Sequence, residues 1–119
     1  YSMEHSDFDA KSALKRIQRK YPHFTALATG SDNDLLRMAK AMSGAGIVWS
    51  GRKALTGFGN VTGIGDTLPV ATVDQHPFRI GCRAAEILID MMENGEPEQP
   101  VRDMLDVEIL YPHHIPVLR

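Results

Sequence analysis

Residues 24–42 read FTALATGSDNDLLRMAKAM, and this stretch decides the fold. Phe24 to Ala28 is a short apolar run suited to a buried strand. Thr29-Gly30-Ser31-Asp32 is loop chemistry. From Asn33 to Met42 the residues Leu35, Met38, Ala39 and Met42 recur on one helical face, and Ser43, Gly44 and Gly46 stop the helix. A strand, a polar loop and a helix in succession form the unit from which parallel sheets are wound.

Upstream, DAKSALKRIQRKY (residues 9–21) places Ala10, Ala13, Leu14, Ile17 and Tyr21 on one helical stripe. Asp9 or Asp7 is placed to cap it, and Pro22 ends it. The basic residues Lys11, Lys15, Arg16, Arg19 and Lys20 read as a solvated face with cations favoured at the helix end. Downstream, KALTGF (residues 53–58) suits a second strand, GNVTGIGDTLP (59–69) a glycine-rich flexible loop, and VATVD (70–74) a third strand. Pro77 opens a long helix reaching Asn94-Gly95. Its main stripe is Ile80, Ala84, Ile87, Leu88 and Met91. Ala85, Ile89 and Met92 widen it, so the helix expects cover on more than one side. GEPEQP (95–100) is a connector. Leu105, Val107 and Ile109 alternate with Asp106 and Glu108, as in a half-exposed strand. Pro112 and Pro116 break the tail. The alternation implies an α/β fold with a mostly parallel sheet.

The chain has 119 residues, 43% apolar and 24% charged, with a net charge of −2. That balance argues against direct DNA binding by this segment, which needs a basic face. No apolar run approaches the ~18 residues of a membrane span, and no signal peptide is read at the N-terminus. Cys82 is the single cysteine, so no internal disulfide is possible, and a reducing cytoplasm is favoured. Cys82 itself reads as a buried structural thiol. The chain opens on Tyr1 and enters a helix before any strand, so upstream structure is expected to precede it.

In open α/β sheets, ligands bind at loops leaving the carboxyl ends of strands. Three such loops hold Ser31-Asp32, Phe58-Gly59-Asn60 and Asp74-Gln75-His76. Their short polar side chains suit hydrogen bonds to the hydroxyls of a small polar ligand such as a sugar. Plainer readings stand beside this one. Ser31 or Asp32 caps the following helix, Asn60 shapes a turn, and Asp74 and Gln75 only join strand to helix. Gly57, Gly59, Gly63 and Gly65 fail as a dinucleotide fingerprint, because Asp66-Thr67-Leu68-Pro69 leads to a strand instead of a helix. His113-His114 reads as a solvent-facing pair, not a metal site. No cofactor and no metal are expected. Trp49 reads as a packed connector or a wall against a sugar.

At this point the chain resembles the lactose-repressor family of transcription regulators. The resemblance is carried by FTALATGSDND, GIVWSGRKALTGFGN and LPVATVDQHPFRIGCRAAEILIDMMENG, closed by MLDVEIL, in order and at matching spacing. It implies a three-layer, type I periplasmic-binding-protein-like fold, present in part and amounting to about the last third of a regulator. Residues 1–73 would be part of the C-terminal sensor subdomain. Residues 74–100 would be a crossover and a helix packing on the N-terminal subdomain. Residues 101–119 would return to the C-terminal subdomain. The implied function is effector binding and dimerisation in a cytoplasmic, non-enzymatic module that meets operator DNA only through a headpiece outside this chain. By resemblance Asp32 takes the place of the family's ligand-binding aspartate and Asp74-Gln75 lie at an interdomain crossover; together with the strand-end loops this makes Asp32, Ser31, Phe58, Asn60, Asp74 and Gln75 the expected effector-binding residues, with Phe58 or Trp49 as an apolar wall. Gly59 stands where the family usually has aspartate, Ser31 where asparagine is common, and Ser50 where proline is usual. Two alternatives remain open: a sugar-binding protein of a transport system, and a small α/β enzyme using Asp32 and Asp34.

Overall fold

The computed structural model describes residues 9–117. The cap expected of Asp7, His5, and the outermost ends of the 1–73 and 101–119 segments lie outside the described residues. Helix α1 spans Ala10–Lys20, capped by Asp9, whose Oδ1 accepts from the Lys11 and Ser12 amides at 3.0 and 3.2 Å. Ala10 and Leu14 are buried and Ala13 and Ile17 pack beside them, but Tyr21 is left exposed. Strand β1 (Ala26–Ala28) follows, then helix α2 (Asp32–Gly44). Leu35, Met38, Ala39, Ala41 and Met42 bury the inner face of α2 against α1 and the sheet.

Strand β2 (Ala54–Thr56) lies parallel to β1, with Leu27 opposite Leu55. Strand β3 (Thr72–Asp74) continues the sheet. Gly57 N–H donates to the Ala71 carbonyl at 2.9 Å and Gly59 N–H to the Val73 carbonyl at 2.9 Å. A parallel bridge joins Thr56 to Ala71. The last strand, β4 (Glu108–Leu110), is antiparallel to β3, pairing Val73 with Ile109. The order is therefore β1-β2-β3-β4, parallel except for the final pair.

The 59–69 segment is not the featureless loop that its glycines suggest. It holds a 3-10 turn at Val61–Gly63 and a short helix α3 at Ile64–Thr67. Ile64 joins the core with Leu14, Leu35, Met38, Met42, Leu55 and Val70. The tail is also ordered by a contact. Tyr111 lies on Gly65, where a Cβ would come within 2.0 Å of its ring, and its hydroxyl donates to Asp66 Oδ1 at 2.8 Å. That bond to a carboxylate raises the Tyr111 phenol above its ordinary pKa. His114 stacks on Tyr111 and places its Nδ1 3.1 Å from the Val70 carbonyl, so only His113 of the histidine pair is fully exposed.

Helix α4 (Pro77–Asn94) has the expected bounds, with Pro77 in its first turn, yet it contains no buried residue. Phe78 is 82% and Met92 76% exposed. Cys82 lies on this helix and is exposed, contrary to the buried thiol expected. The apolar-leaning face that carries it finds no cover within the described residues. No helix among them is long and apolar enough to cross a membrane.

Candidate functional site

The sheet brings two of the three polar loops together. Beyond β2 the chain turns at Gly59 and Asn60, and beyond β3 it turns at His76, with Asn60 and His76 both in the left-handed region at φ 50° and 53°. Positive φ is uncommon outside glycine, though asparagine and histidine adopt it more readily than most residues. Here Asp74 holds the two turns together. Its Oδ1 accepts from the His76 amide at 2.7 Å and its Oδ2 from Asn60 Nδ2 at 3.1 Å. Chiefly the His76 amide, and then Asn60, hold the Asp74 carboxyl below its ordinary pKa. The His76 ring reaches towards two carboxylates, with Nδ1 3.8 Å from Asp74 Oδ2 and Nε2 4.0 Å from Glu108 Oε2.

Asp32 sits beneath this pair. It is fully buried. Its Oδ1 accepts from the Thr72 hydroxyl and its Oδ2 from the Val61 amide, each at 2.8 Å, while its own amide donates to the Phe58 carbonyl at 3.0 Å. A Cβ on Gly57 would stand 2.1 Å from Asp32 Oδ1, so the bare backbone at Gly57 is what lets the carboxyl approach β2. In this structure both Asp32 oxygens are engaged by the protein itself. Each oxygen accepts one bond, Oδ2 from the 58–63 turn and Oδ1 from β3. Ser31, not Asp32, caps α2, through Oγ accepting from the Asp34 amide at 3.2 Å. Asp34 pairs with Arg37 at 3.9 Å, so Asp32 and Asp34 share no partner.

Phe58 is 39% exposed beside Asn60, and Gln75 is partly exposed at the crossover to α4. Trp49 is at the wrong end of α2. Its Nε1 donates to Ser43 Oγ at 3.1 Å and its ring packs on the core. Ser43 is about 16 Å along the helix from Asp32 at 1.5 Å per residue. Trp49 is thus a connector, and its place as a sugar wall is withdrawn. Thr72 is a part of the site that sequence reading missed, and His76, placed in the third loop by sequence, takes a conformation that was not read. The left-handed turn at His76 had no signal in the sequence. Thr72 had only its β-branched strand context.

A prominent groove lies elsewhere. A space of about 900 Å³ runs between α1 and α2, lined by Leu14 and Ala41 and rimmed by Lys11, Lys15, Arg37 and Lys40. Neither Asn60 nor Asp74 lines any of the prominent grooves, and Gln75 alone edges one, a space of about 390 Å³ against α4. The strand-end loops thus form an open face. Among the described residues no group of three or more metal-ligating side chains converges.

The order of elements, the parallel sheet and the strand-end loops define a class of fold: the chain has the fold of part of a type I periplasmic-binding-protein-like domain. Within that class it is similar to transcription regulators of the LacI family. A LacI-family regulator from Silicibacter pomeroyi superposes with a TM-score of 0.66 at 28% identity, covering 86% of this chain and 31% of that one. The regulator CelR in complex with cellobiose gives 0.72 at 22% identity, covering 85% and 31%. A periplasmic solute-binding protein of an ABC transporter from Actinobacillus succinogenes, bound to D-allose, gives 0.70 at 17% identity, covering 88% and 38%. The chain spans about a third of the length of these proteins. No protein-family model and no curated protein matches it.

Proposed function

We propose that this chain is the effector-sensing part of a bacterial transcription regulator and that its strand-end face is one wall of a sugar-binding cleft. The observation that carries the reading is the paired Asn60–Asp74 turn, held at 3.1 Å at the carboxyl ends of β2 and β3. Asn60 Oδ1 is the one buried side-chain atom without a hydrogen-bond partner among the described residues. Such an acceptor calls for a donor, and a bound water or a ligand hydroxyl would supply one once the turn opens to admit it. Asp74 and Gln75 would take further hydroxyls, Ser31 would contribute from the head of α2, and Phe58 would present an apolar edge to the ring. The bare α4 supports the rest of the arrangement. Its uncovered face would pack on an N-terminal subdomain, for which the length of the relatives that this chain does not span leaves room. A DNA-binding headpiece in the parent chain, pairing of two copies, a cytoplasmic setting and the absence of catalysis belong to the same reading. Ligand acts on such a regulator by favouring one of two conformations.

A transport-system sugar-binding protein is the second reading, favoured by the likeness to the D-allose-binding protein. Both readings predict the same face. Titration with cellobiose, ribose and D-allose, followed by backbone amide shifts, detects even weak binding by a single wall. Shifts confined to residues around Asn60, Asp74 and Gln75, and lost in Asp74→Ala, are expected. Shifts centred instead on the groove between α1 and α2 would overturn the assignment.

A further inference from the structure

We infer that Asp32 is a positioning residue: its buried carboxyl sets the 58–63 turn and, through Asn60 and Asp74, fixes the root of α4. The chain of contacts is continuous. Asp32 Oδ2 holds the Val61 amide at 2.8 Å and Oδ1 holds the Thr72 hydroxyl at 2.8 Å. Thr72 Oγ1 in turn accepts from the Asn60 amide at 3.3 Å. The two bonds grip consecutive amides and hold Asn60 at φ 50°. In that conformation Asn60 Nδ2 reaches Asp74, whose other oxygen holds the His76 amide at 2.7 Å. His76 is the residue before α4 and is itself left-handed at φ 53°.

A buried acceptor that serves two donors in different elements is costly to leave unmet, so its geometry dictates theirs. Asp32 joins the head of α2 to both the 58–63 turn and β3, which are themselves linked through Asn60 to Thr72 and Asp74. Gly57 keeps the space that this requires. The head of α2 and the root of α4 are thereby tied through one polar path that passes directly under the Asn60–Asp74 turn. The inference draws on the proposed sugar site only for what that turn is used for, and its test reads the turn without any sugar.

The test is amide hydrogen exchange, residue by residue, on the full chain. Asp32→Ala is expected to lower protection at Val61 and Asn60 by tenfold or more beyond any loss at Leu35 and Leu55, with a smaller excess loss at His76. Asp32→Asn is expected to rescue Val61, because an asparagine oxygen still accepts that amide while its NH₂ donates to Thr72. A uniform loss over the whole chain, or no excess at Val61 and Asn60, would overturn the inference. Should Asp32→Ala fail to fold, Thr72→Val decides. It removes the acceptor for Asn60 and the donor to Asp32 Oδ1 but leaves the bond from Val61 to Asp32 Oδ2, so Asn60 should lose more protection than Val61. Equal behaviour of the two amides would overturn the inference. A protein that passes these tests yet shows no amide shift with cellobiose, ribose or D-allose would refute the sugar reading and leave the role of Asp32 standing.

Discussion

At the scale of single residues, Asp74 is where geometry becomes a measurable charge effect. Its carboxylate accepts from the His76 amide and from Asn60, and both bonds favour the ionised form. The folded-state pKa is therefore lower than that of the unfolded chain. A group of this kind adds stability above its ordinary value of 3.8 and loses that contribution as pH falls through the depressed value. The carboxylate is partly open to solvent, so screening keeps the effect small. Asp74→Asn removes the titration. The mutant's denaturation midpoint should fall less steeply than wild type as acid is added below 3.8, and the two should differ most at neutral pH. Parallel pH profiles for the two proteins would show that the Asn60–Asp74–His76 contacts do not form in solution. Asp32 teaches a different lesson about reading residues. Its place at a strand end made it look like a ligand contact in the sequence. Whether a strand-end carboxyl faces outward or folds under the next turn depends on Gly57 and Thr72, which are 25 and 40 positions away. No local pattern encodes that choice.

At the scale of elements, helices were far more legible than strands. The bounds of α1 and α4 follow from periodicity and caps, both local: Asp9 and Pro22 around α1, Pro77 and Gly95 around α4. The strands are shorter than their apolar runs. VATVD suggests five residues, but the strand is Thr72–Asp74, with Ala71 in a single parallel bridge to Thr56 and the Val70 amide turned to Leu68. The antiparallel seat of β4 beside β3 was not readable either, since pairing is set by non-local contacts. Helix burial separates two elements that look equally amphipathic in sequence. Leu35 on α2 is 0% exposed, whereas Leu88 on α4 is 59% exposed. Truncation should follow burial, not hydrophobicity. Leu35→Ala should cost about 2–5 kcal/mol in denaturant melts, and Leu88→Ala should stay within about 0.5 kcal/mol of wild type. Comparable losses would mean that α4 packs on the core after all.

At the scale of the whole molecule, the chain is too extended for its length. Its radius of gyration is 18.9 Å and its extents are 60 × 33 × 24 Å. A compact domain of this size would have a radius near 14 Å. The excess comes from α4 and the segment after it, where Val101, Leu105 and Val107 only edge a shallow groove against Ile80 and Ile87. The outer side of α4 presents Phe78, Leu88, Ile89 and Met92, each more than half exposed. An apolar face of this kind is covered in a working protein. In the isolated chain it has no cover, so the chain should associate as concentration rises. Replacing Phe78 with Ser and Met92 with Lys should weaken that association in sedimentation experiments. The same double substitution should leave the denaturation midpoint of the α1–α2–sheet core where it was, because neither side chain touches that core. The two readouts separate the explanations. Association without a midpoint change means that α4 is an unpartnered surface element. A lowered midpoint would instead show that the helix folds back onto the core in solution, and its proposed packing on another subdomain would then fail.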